Sequence, residues 1–241
     1  MEQGVFITAT DTEVGKTVVS AGIAGALKSK GLNVGVMKPV ATGVIKTKAG
    51  LRSNDVGFLM KSIESRDDPE LVNPIRFELP LAPLSVLMIS KIDISLDKIK
   101  TKIKSAFVKL CSRHDFVVVE GIGGILVPIK QDYLVADMIK DLNLPVVVVA
   151  RPGLGTINHT LLTIRAAQNN NIEVKGFIIN KMDEQKTGDA EKTNPLIIQK
   201  LSRRPLLGIL PFDPAVKADP LVMGNIIDST LKHIETDKLF K

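Results

Sequence analysis

The segment from Val5 to Thr17 constrains the fold of this chain more than any other part of its sequence. It reads V-F-I-T-A-T-D-T-E-V-G-K-T, which is a short apolar run, a polar loop and a Gly-Lys-Thr end. Val19, Ile23 and Leu27 then recur at helical spacing, so we expect a buried strand that passes through a loop into a helix. This arrangement is typical of a phosphate-binding loop, in which backbone N–H groups at a helix N-terminus face an anion.

Three residues at the end of this loop have the properties that triphosphate binding requires. Gly15 allows a close backbone approach, Lys16 brings a positive charge to the outer phosphates, and Thr17 offers a hydroxyl to Mg²⁺. The full pattern G-x-x-x-x-G-K-[ST] has glycine where this chain has Thr10, so the motif is incomplete. Its strand–loop–helix context compensates for this, and the segment predicts nucleotide binding.

Length and composition indicate a globular protein. The chain has 241 residues, of which 44% are hydrophobic, and we expect one domain over residues 1–241. No apolar stretch approaches the roughly 18 residues of a membrane span, and the first strand begins close to Met1, which leaves no room for a signal peptide. We therefore expect a cytoplasmic protein with no membrane partner. Cys111 is the single cysteine and is expected to fill space in the core.

The formal net charge of +6 would suit a nucleic-acid partner. However, the lysines from Lys98 to Lys104 alternate with Ile99, Ile103 and Phe107, as on the solvated face of an amphipathic helix. The chain has one Tyr, no Trp and eight Phe, most of them in apolar runs, so a base-stacking platform is missing. We expect no nucleic-acid partner, and some of the positive charge would serve anionic substrates.

Six apolar runs predict buried parallel strands, and helical segments separate most of them. The predicted strands are Val5–Thr8, Val34–Lys38, Phe116–Glu120, Pro145–Ala150, Gly176–Asn180 and Leu206–Leu210. The predicted helices cover approximately residues 16–29, 54–63, 95–112, 133–142, 156–170, 190–202 and 222–235. This alternation predicts an α/β fold with a single doubly wound, mainly parallel sheet and helices on both faces.

Polar residues follow every predicted strand, which is where open parallel sheets bind their ligands. Glu120 ends one strand and is followed by G-I-G-G, so a carboxylate lies beside backbone that can approach phosphates. Phosphoryl transfer needs Mg²⁺ held by the loop hydroxyl and a strand-end carboxylate. Asp55, in R-S-N-D, is either a second metal ligand or a helix cap. The predicted Mg²⁺ ligands are therefore Thr17, Asp55 and Glu120.

Lys38 ends an otherwise apolar strand and precedes Pro39, a position that favours a side chain directed into the cleft. Together with Lys16 it would present two positive charges to a transferring phosphoryl group. The alternative is a strand-end lysine that snorkels to solvent. None of the three histidines has an obvious Ser or Cys partner, so no hydrolytic triad is expected.

Six segments of the chain occur in the order and spacing typical of one enzyme family. They are A-T-D-T-E-V-G-K-T, V-M-K-P-V-A-T-G, S-N-D, V-E-G-I-G-G, L-G-T-I-N-H and P-L-L-G-I-L-P. Through them the chain resembles dethiobiotin synthetase, of the P-loop NTPase superfamily, from the first strand to about Asp213. The resemblance implies that 7,8-diaminononanoate, CO₂ and MgATP give dethiobiotin, ADP and phosphate through a carbamate and a carbamic–phosphoric anhydride. It also implies a homodimer with the substrate site at the subunit interface.

The same resemblance implies roles for individual residues. The catalytic residues would be Lys38, Lys16 and Thr12. The nucleotide and its Mg²⁺ would contact Glu13, Val14, Gly15, Lys16, Thr17, Val18, Asp55, Glu120, Gly121, Ile122, Gly123, Asn180, Lys181, Pro211, Phe212 and Asp213. The diamine would contact Thr42, Gly123, Asn158 and Asn194, with Asn158 reaching the substrate of the neighbouring subunit.

Two positions depart from the family pattern. Ala9 replaces a glycine often found in the loop, which adds one methyl group near the phosphates and is expected to tune affinity. Lys181 stands where an acidic residue is common, so the preference among ATP, CTP and GTP stays open.

Two other functions were weighed against the synthetase. An ATP-driven dimerisation switch, of the partition and division-site ATPase type, has an extra lysine where this chain has Asp11. An amidotransferase-type synthetase would need a glutaminase domain with a nucleophilic cysteine, and Cys111 lies in the wrong place for that role.

Overall fold

The computed structural model describes residues 3–47, 50–183, 185, 187–218 and 221–240. Within these residues the strands are β1 (Gly4–Ala9), β2 (Val34–Met37), β3 (Val40–Thr42), β4 (Ile45–Thr47), β5 (Gly50–Arg52), β6 (Ile75–Phe77), β7 (Phe116–Glu120), β8 (Pro128–Lys130), β9 (Tyr133–Leu134), β10 (Val146–Ala150), β11 (Val174–Met182) and β12 (Leu206–Pro211). The α-helices are α1 (Lys16–Ser29), α2 (Asn54–Ser62), α3 (Pro69–Val72), α4 (Pro83–Ile89), α5 (Leu96–Cys111), α6 (Val135–Leu142), α7 (Thr156–Asn169), α8 (Asp189–Ser202) and α9 (Ile226–His233), and a 3₁₀ helix covers Thr236–Leu239.

The central sheet has six strands, in the order β12-β11-β10-β1-β7-β2, and every neighbouring pair is parallel. Phe6 of β1 is in register with Val146 of β10 on one side and Val119 of β7 on the other. Strands β1, β7 and β10 are buried along their whole length, as central strands covered on both faces should be. Because all six strands run in one direction, their carboxyl ends meet at one edge of the sheet.

Alternate residues of β1 divide the core into two layers, because successive side chains of a strand point to opposite faces. Phe6 belongs to a cluster that includes Ile103 of α5 and Met138 of α6. Ile7 belongs to a second cluster, which includes Ile23 and neighbouring residues of α1. The sheet is therefore covered by helices on both faces, and the predicted doubly wound α/β fold is confirmed.

Helix α5 shows how the pattern of the sequence selects a buried face. It begins after Ser95, whose hydroxyl accepts a hydrogen bond from the Lys98 N–H and so caps the helix. Its apolar residues are buried at helical spacing, whereas most of the lysines between them are exposed: the buried residues are Ile99, Ile103, Ala106, Phe107 and Leu110. The interpretation of this lysine-rich segment as the solvated face of an amphipathic helix is confirmed.

The predicted strands and helices are present, with shifted ends. Residues 133–134, predicted to be helical, form β9, and α6 begins only at Val135 because Asp137 accepts a hydrogen bond from the Leu134 N–H. The helix predicted over 222–235 is shorter and covers Ile226–His233. Three two-stranded pairings of short strands, one parallel and two antiparallel, were not predicted, and neither were the short helices α3 and α4. Segments of so few residues show no clear periodicity. In the part of the chain that the structure describes, no helix could cross a bilayer.

Candidate active site

The loop between β1 and α1 has the backbone conformation that a phosphate cradle needs. Gly15 directly precedes α1 at a φ of 92°, and a Cβ there would lie 2.2 Å from the Asn180 amide nitrogen. Glu13 is also left-handed, at a φ of 59°. The end of β11 supports this shape, since Asn180 Nδ2 donates to the Val14 carbonyl at 2.8 Å and Lys181 Nζ donates to the Glu13 carbonyl at 2.7 Å. The N-terminus of α1 is thus held open toward the carboxyl edge of the sheet.

Lys16 is the first residue of α1 and is almost completely buried. Its Nζ donates to the Asp11 carbonyl at 3.2 Å, across the loop. Burial lowers the pKa of Lys16 and the Lys38 charge lowers it further, although Glu120 and Asp55 oppose this shift. A neutral carbonyl stabilises an ammonium less than an anion does, so a phosphate group would be a stronger partner for this lysine.

Lys38 joins two carboxylates at the edge of the sheet. Its Nζ lies 2.6 Å from Glu120 Oε1 and 2.8 Å from Asp55 Oδ2. Thr17 donates its hydroxyl to the same Glu120 oxygen at 2.8 Å. Burial alone would lower the pKa of Lys38, but the two carboxylates outweigh burial and raise that pKa above its ordinary value. Residues from four separate segments therefore form one charged cluster.

This geometry excludes one of the alternatives that the sequence left open for each of two residues, Lys38 and Asp55. Lys38 is only 5% exposed and its ammonium is buried with the carboxylates, so it does not snorkel to solvent. Ser53 occupies the N-cap position of α2, and Asp55 lies in the first turn with its carboxylate on Lys38. Asp55 is therefore not the helix cap, and Lys38 holds its pKa below the ordinary value against the opposing effect of burial.

The second oxygen of Glu120 shows that the cluster fits a cation. Glu120 is 1% exposed, and its Oε2 is buried without a hydrogen-bond partner among the described residues. A buried carboxylate oxygen is costly to leave unpaired, and Mg²⁺ takes oxygen ligands of this kind. No group of three His, Cys, Asp or Glu side chains in the described ranges could hold a metal alone.

A cavity of about 410 Å³ lies beside the phosphate loop. It is lined by residues 9–12, residues 124–128 and one side of α7. Thr12, a predicted catalytic residue, is exposed there, and its N–H donates to Asp11 Oδ1 at 2.7 Å. Leu126 and Leu162 also line the cavity and are 56% and 57% exposed. The cavity has room and an apolar wall for a small aliphatic ligand beside the phosphate loop.

The glycine-rich segment after β7 lies at the same edge of the sheet. Gly121 donates its N–H to the Ile7 carbonyl at 3.0 Å, and a Cβ at this position would lie 2.7 Å from the Phe6 ring. Gly123 has a φ of 57°. The segment therefore packs closely against β1, the strand that leads into the phosphate loop.

The other predicted ligand contacts stay predictions, and the structure places these residues as follows. Asn158 is exposed in the first turn of α7, and Thr42 ends β3. Asn194 is 5% exposed, and its Nδ2 donates to the Pro152 carbonyl at 2.9 Å and to the Gly153 carbonyl at 3.3 Å. Within one chain, Asn194 therefore holds the loop that leads into α7.

Among the residues predicted to contact the nucleotide, Asn180 lies near the end of β11, Pro211 ends β12, and Phe212 and Asp213 directly follow it. Phe212 is 52% exposed, and its N–H donates to the Met182 carbonyl at 2.8 Å. Asp213 accepts a hydrogen bond from the Ala215 N–H at 2.8 Å and so shapes the following turn. An aromatic side chain is thus presented to solvent at the same edge of the sheet as Asn180.

Sequence reasoning missed Asn73, which contacts Lys38 directly. Asn73 is 1% exposed, and its Nδ2 donates to the Lys38 carbonyl at 2.5 Å and to the Ile75 carbonyl at 3.2 Å. The only local signal is the Asn-Pro pair that it forms with Pro74, which is typical of a turn. That signal does not indicate which distant residue the amide reaches.

Two solved structures share this fold. The cell division ATPase MinD of Pyrococcus furiosus matches 99% of this chain and 98% of its own, with a TM-score of 0.61 and 14% sequence identity. The septum site-determining protein MinD complexed with Mg-ADP, from Pyrococcus horikoshii OT3, matches 99% of this chain and 94% of its own, with a TM-score of 0.59 and 15% identity. At such low identity the likeness shows the α/β fold alone.

Similarity in sequence is far higher to another group of proteins. An AAA domain family model matches residues 3–219. The ATP-dependent dethiobiotin synthetase BioD of Thermodesulfovibrio yellowstonii is 42% identical over 246 residues, which cover 99% of each chain. The BioD proteins of Methanocaldococcus jannaschii and Bacillus subtilis strain 168 are 48% and 36% identical, over 73% and 98% of this chain and 78% and 95% of their own. The resemblance carried by the six sequence segments is confirmed: this chain belongs to the ATP-dependent dethiobiotin synthetase family.

Proposed function

We propose that this protein is an ATP-dependent ligase that closes the ureido ring of dethiobiotin, and that it does so at the carboxyl edge of the sheet. Its substrates are the small molecules ATP, 7,8-diaminononanoate and CO₂. The observation that carries this proposal is the charged cluster of Lys38, Asp55, Glu120 and Thr17 beside a phosphate loop, in which Lys38 and Glu120 are buried. The whole chain forms one P-loop α/β domain, and it works in the cytoplasm, where ATP is available.

Thr17, Asp55 and Glu120 hold Mg²⁺ together with the phosphates of ATP. The ion, when bound, neutralises negative charge on the phosphate oxygens. The unpaired Oε2 of Glu120 supports this role, because it is a buried acceptor directed to no protein donor in the described ranges. Thr17 supports it too, since its hydroxyl already lies 2.8 Å from the same carboxylate.

Lys16 and Lys38 are the residues that bring the reacting anions together. A carbamate is already an oxygen nucleophile, so the protein needs no strong base to activate it. It must hold a carbamate against a phosphoryl group and offset their mutual repulsion. Both lysines are buried at the carboxyl edge of the sheet, where the low local dielectric strengthens their effect on an anion. The backbone of Gly121, Ile122 and Gly123 and the hydroxyls of Thr12 and Thr42 line the substrate.

The base of the nucleotide lies between the ends of β11 and β12. Asn180 and Lys181 stand on one side of it, and residues 211–213 stand on the other. The half-exposed ring of Phe212 supports this placement, since an aromatic side chain gives a flat apolar face for a base. The phosphates contact the loop and the first turn of α1, through Glu13, Val14, Gly15 and Val18.

The working form is a homodimer in which each substrate site includes the partner. Leu126, Leu154 and Leu162 are 56%, 83% and 57% exposed around the cavity and α7, and a second copy of the chain would cover such an apolar rim. In this dimer Asn158 reaches the substrate of the neighbouring subunit. Asn194 serves the same interface, because it holds the loop that carries Leu154.

An ATP-driven dimerisation switch is not favoured. The MinD structures share the fold at only 14% and 15% identity, whereas the synthetases are 36% to 48% identical to this chain. The site also has Asp11 where the switch proteins have an extra lysine. The two functions differ in whether ATP hydrolysis needs a small-molecule acceptor.

We expect ADP release from MgATP to depend on both diaminononanoate and CO₂, because the anhydride forms only when a carbamate is present to attack. The measurement is ADP release in the presence of bicarbonate, with and without the diamine. A diamine that lacks the carboxylate serves as a control for specificity. Equal ATPase activity without any diamine would contradict the synthetase and favour the switch.

Mixing Lys38→Ala subunits with Asn158→Ala subunits is expected to restore activity, although each variant alone is inactive. In the mixed dimer one site combines an intact Lys38 with an intact Asn158 from the other chain. Random exchange then regenerates about a quarter of the wild-type activity, as expected for a two-fold symmetric dimer. Subunit exchange is verified by tagging one variant, and no recovery after verified exchange would exclude the role of Asn158 across the interface.

A further inference from the structure

We propose that Asn73 is a positioning residue that sets the location of the Lys38 ammonium. The inference rests on the catalytic role proposed above for Lys38. Two backbone groups of Lys38 are bound by neighbouring residues of one segment: its N–H donates to the Val72 carbonyl at 2.9 Å, and its carbonyl accepts from Asn73 Nδ2 at 2.5 Å. Asn73 touches no reacting atom itself and acts through this contact.

The backbone of Lys38 depends on these two hydrogen bonds because the strand pairing of the central sheet does not extend to it. The pairing of β2 with β7 ends at Met37, in register with Val119, so Lys38 lies just beyond the ladder. The next residue, Pro39, has no N–H to donate. Its carbonyl accepts from the Ile75 N–H at 3.2 Å. The backbone of residues 38–39 is therefore bound to residues 72–75, outside the pairing of β2 with β7.

Asn73 is itself fixed in place. It ends α3, where its N–H donates to the Pro69 carbonyl at 2.9 Å. The start of that helix is capped by Asp68, whose carboxylate accepts from the Glu70 N–H at 2.8 Å. The side chain of Asn73 also donates to the Ile75 carbonyl at 3.2 Å, so one amide group bridges two strands, β6 and the end of β2. A residue with so little freedom can hold Lys38 in one place.

The side-chain amide of Asn73 carries an energetic penalty in the folded protein. Its Oδ1 is buried and has no hydrogen-bond partner in the part of the chain that the structure describes. An apolar side chain of similar size would avoid this penalty if the position served only to fill space. The donor group of the amide, directed at the Lys38 carbonyl, is therefore the feature that accounts for asparagine at this position.

A small displacement of Lys38 would matter for the reaction. Its ammonium lies 2.6 Å and 2.8 Å from the two carboxylates that are proposed to bind Mg²⁺. A shift of about 1 Å in a reacting group can lower a rate on the order of 10²-fold. Loss of the Asn73 contact would leave the Lys38 carbonyl unpaired and allow the strand end to move, with the ammonium moving as well.

The first test compares Asn73→Ala with a matched control, Thr230→Ala. Thr230 is also fully buried with an unpaired Oγ1, but it lies on α9, away from Lys38. We expect Asn73→Ala to lower kcat on the order of 10-fold, with KM for MgATP changed less than about twofold, whereas Thr230→Ala leaves kcat unchanged. Asn73→Leu removes the same hydrogen-bond donor while keeping a side chain of similar volume. It is used in the test if Asn73→Ala does not fold. Unchanged kcat in a folded Asn73 variant would overturn the inference.

A double-mutant cycle with Lys38→Ala separates this inference from the proposal on which it rests. If Asn73 acts through Lys38, then Asn73→Ala lowers kcat in the wild-type background but causes no further loss of kcat in the Lys38→Ala background. If Asn73→Ala lowers kcat by the same factor in both backgrounds, Lys38 keeps its role and the positioning role of Asn73 is wrong. If Lys38→Ala alone leaves kcat unchanged, the catalytic role of Lys38 fails and the positioning role falls with it.

Discussion

Lys38→Ala is expected to lower kcat by on the order of 10²-fold or more, comparable to the loss of one preorganised transition-state contact. The reason is that Lys38 is buried at the site with its charge between Asp55 and Glu120. KM for MgATP should change little, because Lys16 and the loop still bind the phosphates. The substitution is therefore expected to slow the chemical step without changing nucleotide affinity.

Steady-state kinetics with titrated MgATP, at saturating diamine and bicarbonate, measure this effect. Lys16→Ala is the informative comparison. The charge of Lys16 stabilises both the bound nucleotide and the transition state, so its loss should raise KM for MgATP and lower kcat. Lys98→Ala, on the exposed face of α5, is the control for loss of a positive charge and should leave both constants unchanged. Wild-type turnover in folded Lys38→Ala would remove Lys38 from the catalytic set.

Glu120→Gln is expected to raise the Mg²⁺ concentration needed for half-maximal turnover by on the order of 10-fold or more. The substitution keeps the volume of a side chain that is 1% exposed, but it removes the charge that faces the proposed metal. It also weakens the contacts with Thr17 and Lys38, which lie 2.8 Å and 2.6 Å from the same oxygen. Thr17→Val and Asp55→Ala should shift the Mg²⁺ requirement in the same direction.

Two measurements check the metal assignment. The first is turnover as a function of Mg²⁺, and the second is calorimetric binding of ADP with and without Mg²⁺, which does not depend on catalysis. Glu173→Gln, at an exposed carboxylate that lies 3.4 Å from Lys175 Nζ, is the control for loss of a carboxylate charge and should behave as the wild type. If none of the three ligand variants changes the Mg²⁺ requirement or Mg²⁺-dependent ADP binding, these residues are not the metal ligands.

The sequence by itself determined the six strands of the central sheet, the longer helices that cover it and the position of the loop between β1 and α1. Strand β7, F-V-V-V-E, is apolar until its last residue, and it is buried along its length in the structure. Helix α5 places its apolar residues at helical spacing and exposes most of the lysines between them. These features depend on neighbours along the chain, because backbone geometry and side-chain period are local properties. The rule that ligands bind at the carboxyl ends of strands then indicated the edge of the sheet at which Lys38, Asp55 and Glu120 meet.

Only the tertiary structure decided which polar residues contact one another at that edge. Lys38, Asp55 and Glu120 come from three separate segments, and their distances of 2.6 Å and 2.8 Å follow from the strand order β1-β7-β2 and from the packing of α2. That order is set by the packing of whole elements, which no local pattern expresses. The same reason explains why Asp55 stayed open between metal ligand and helix cap, and why Asn73 was missed: its partner lies far away in the sequence, and only folding brings the amide to the Lys38 carbonyl.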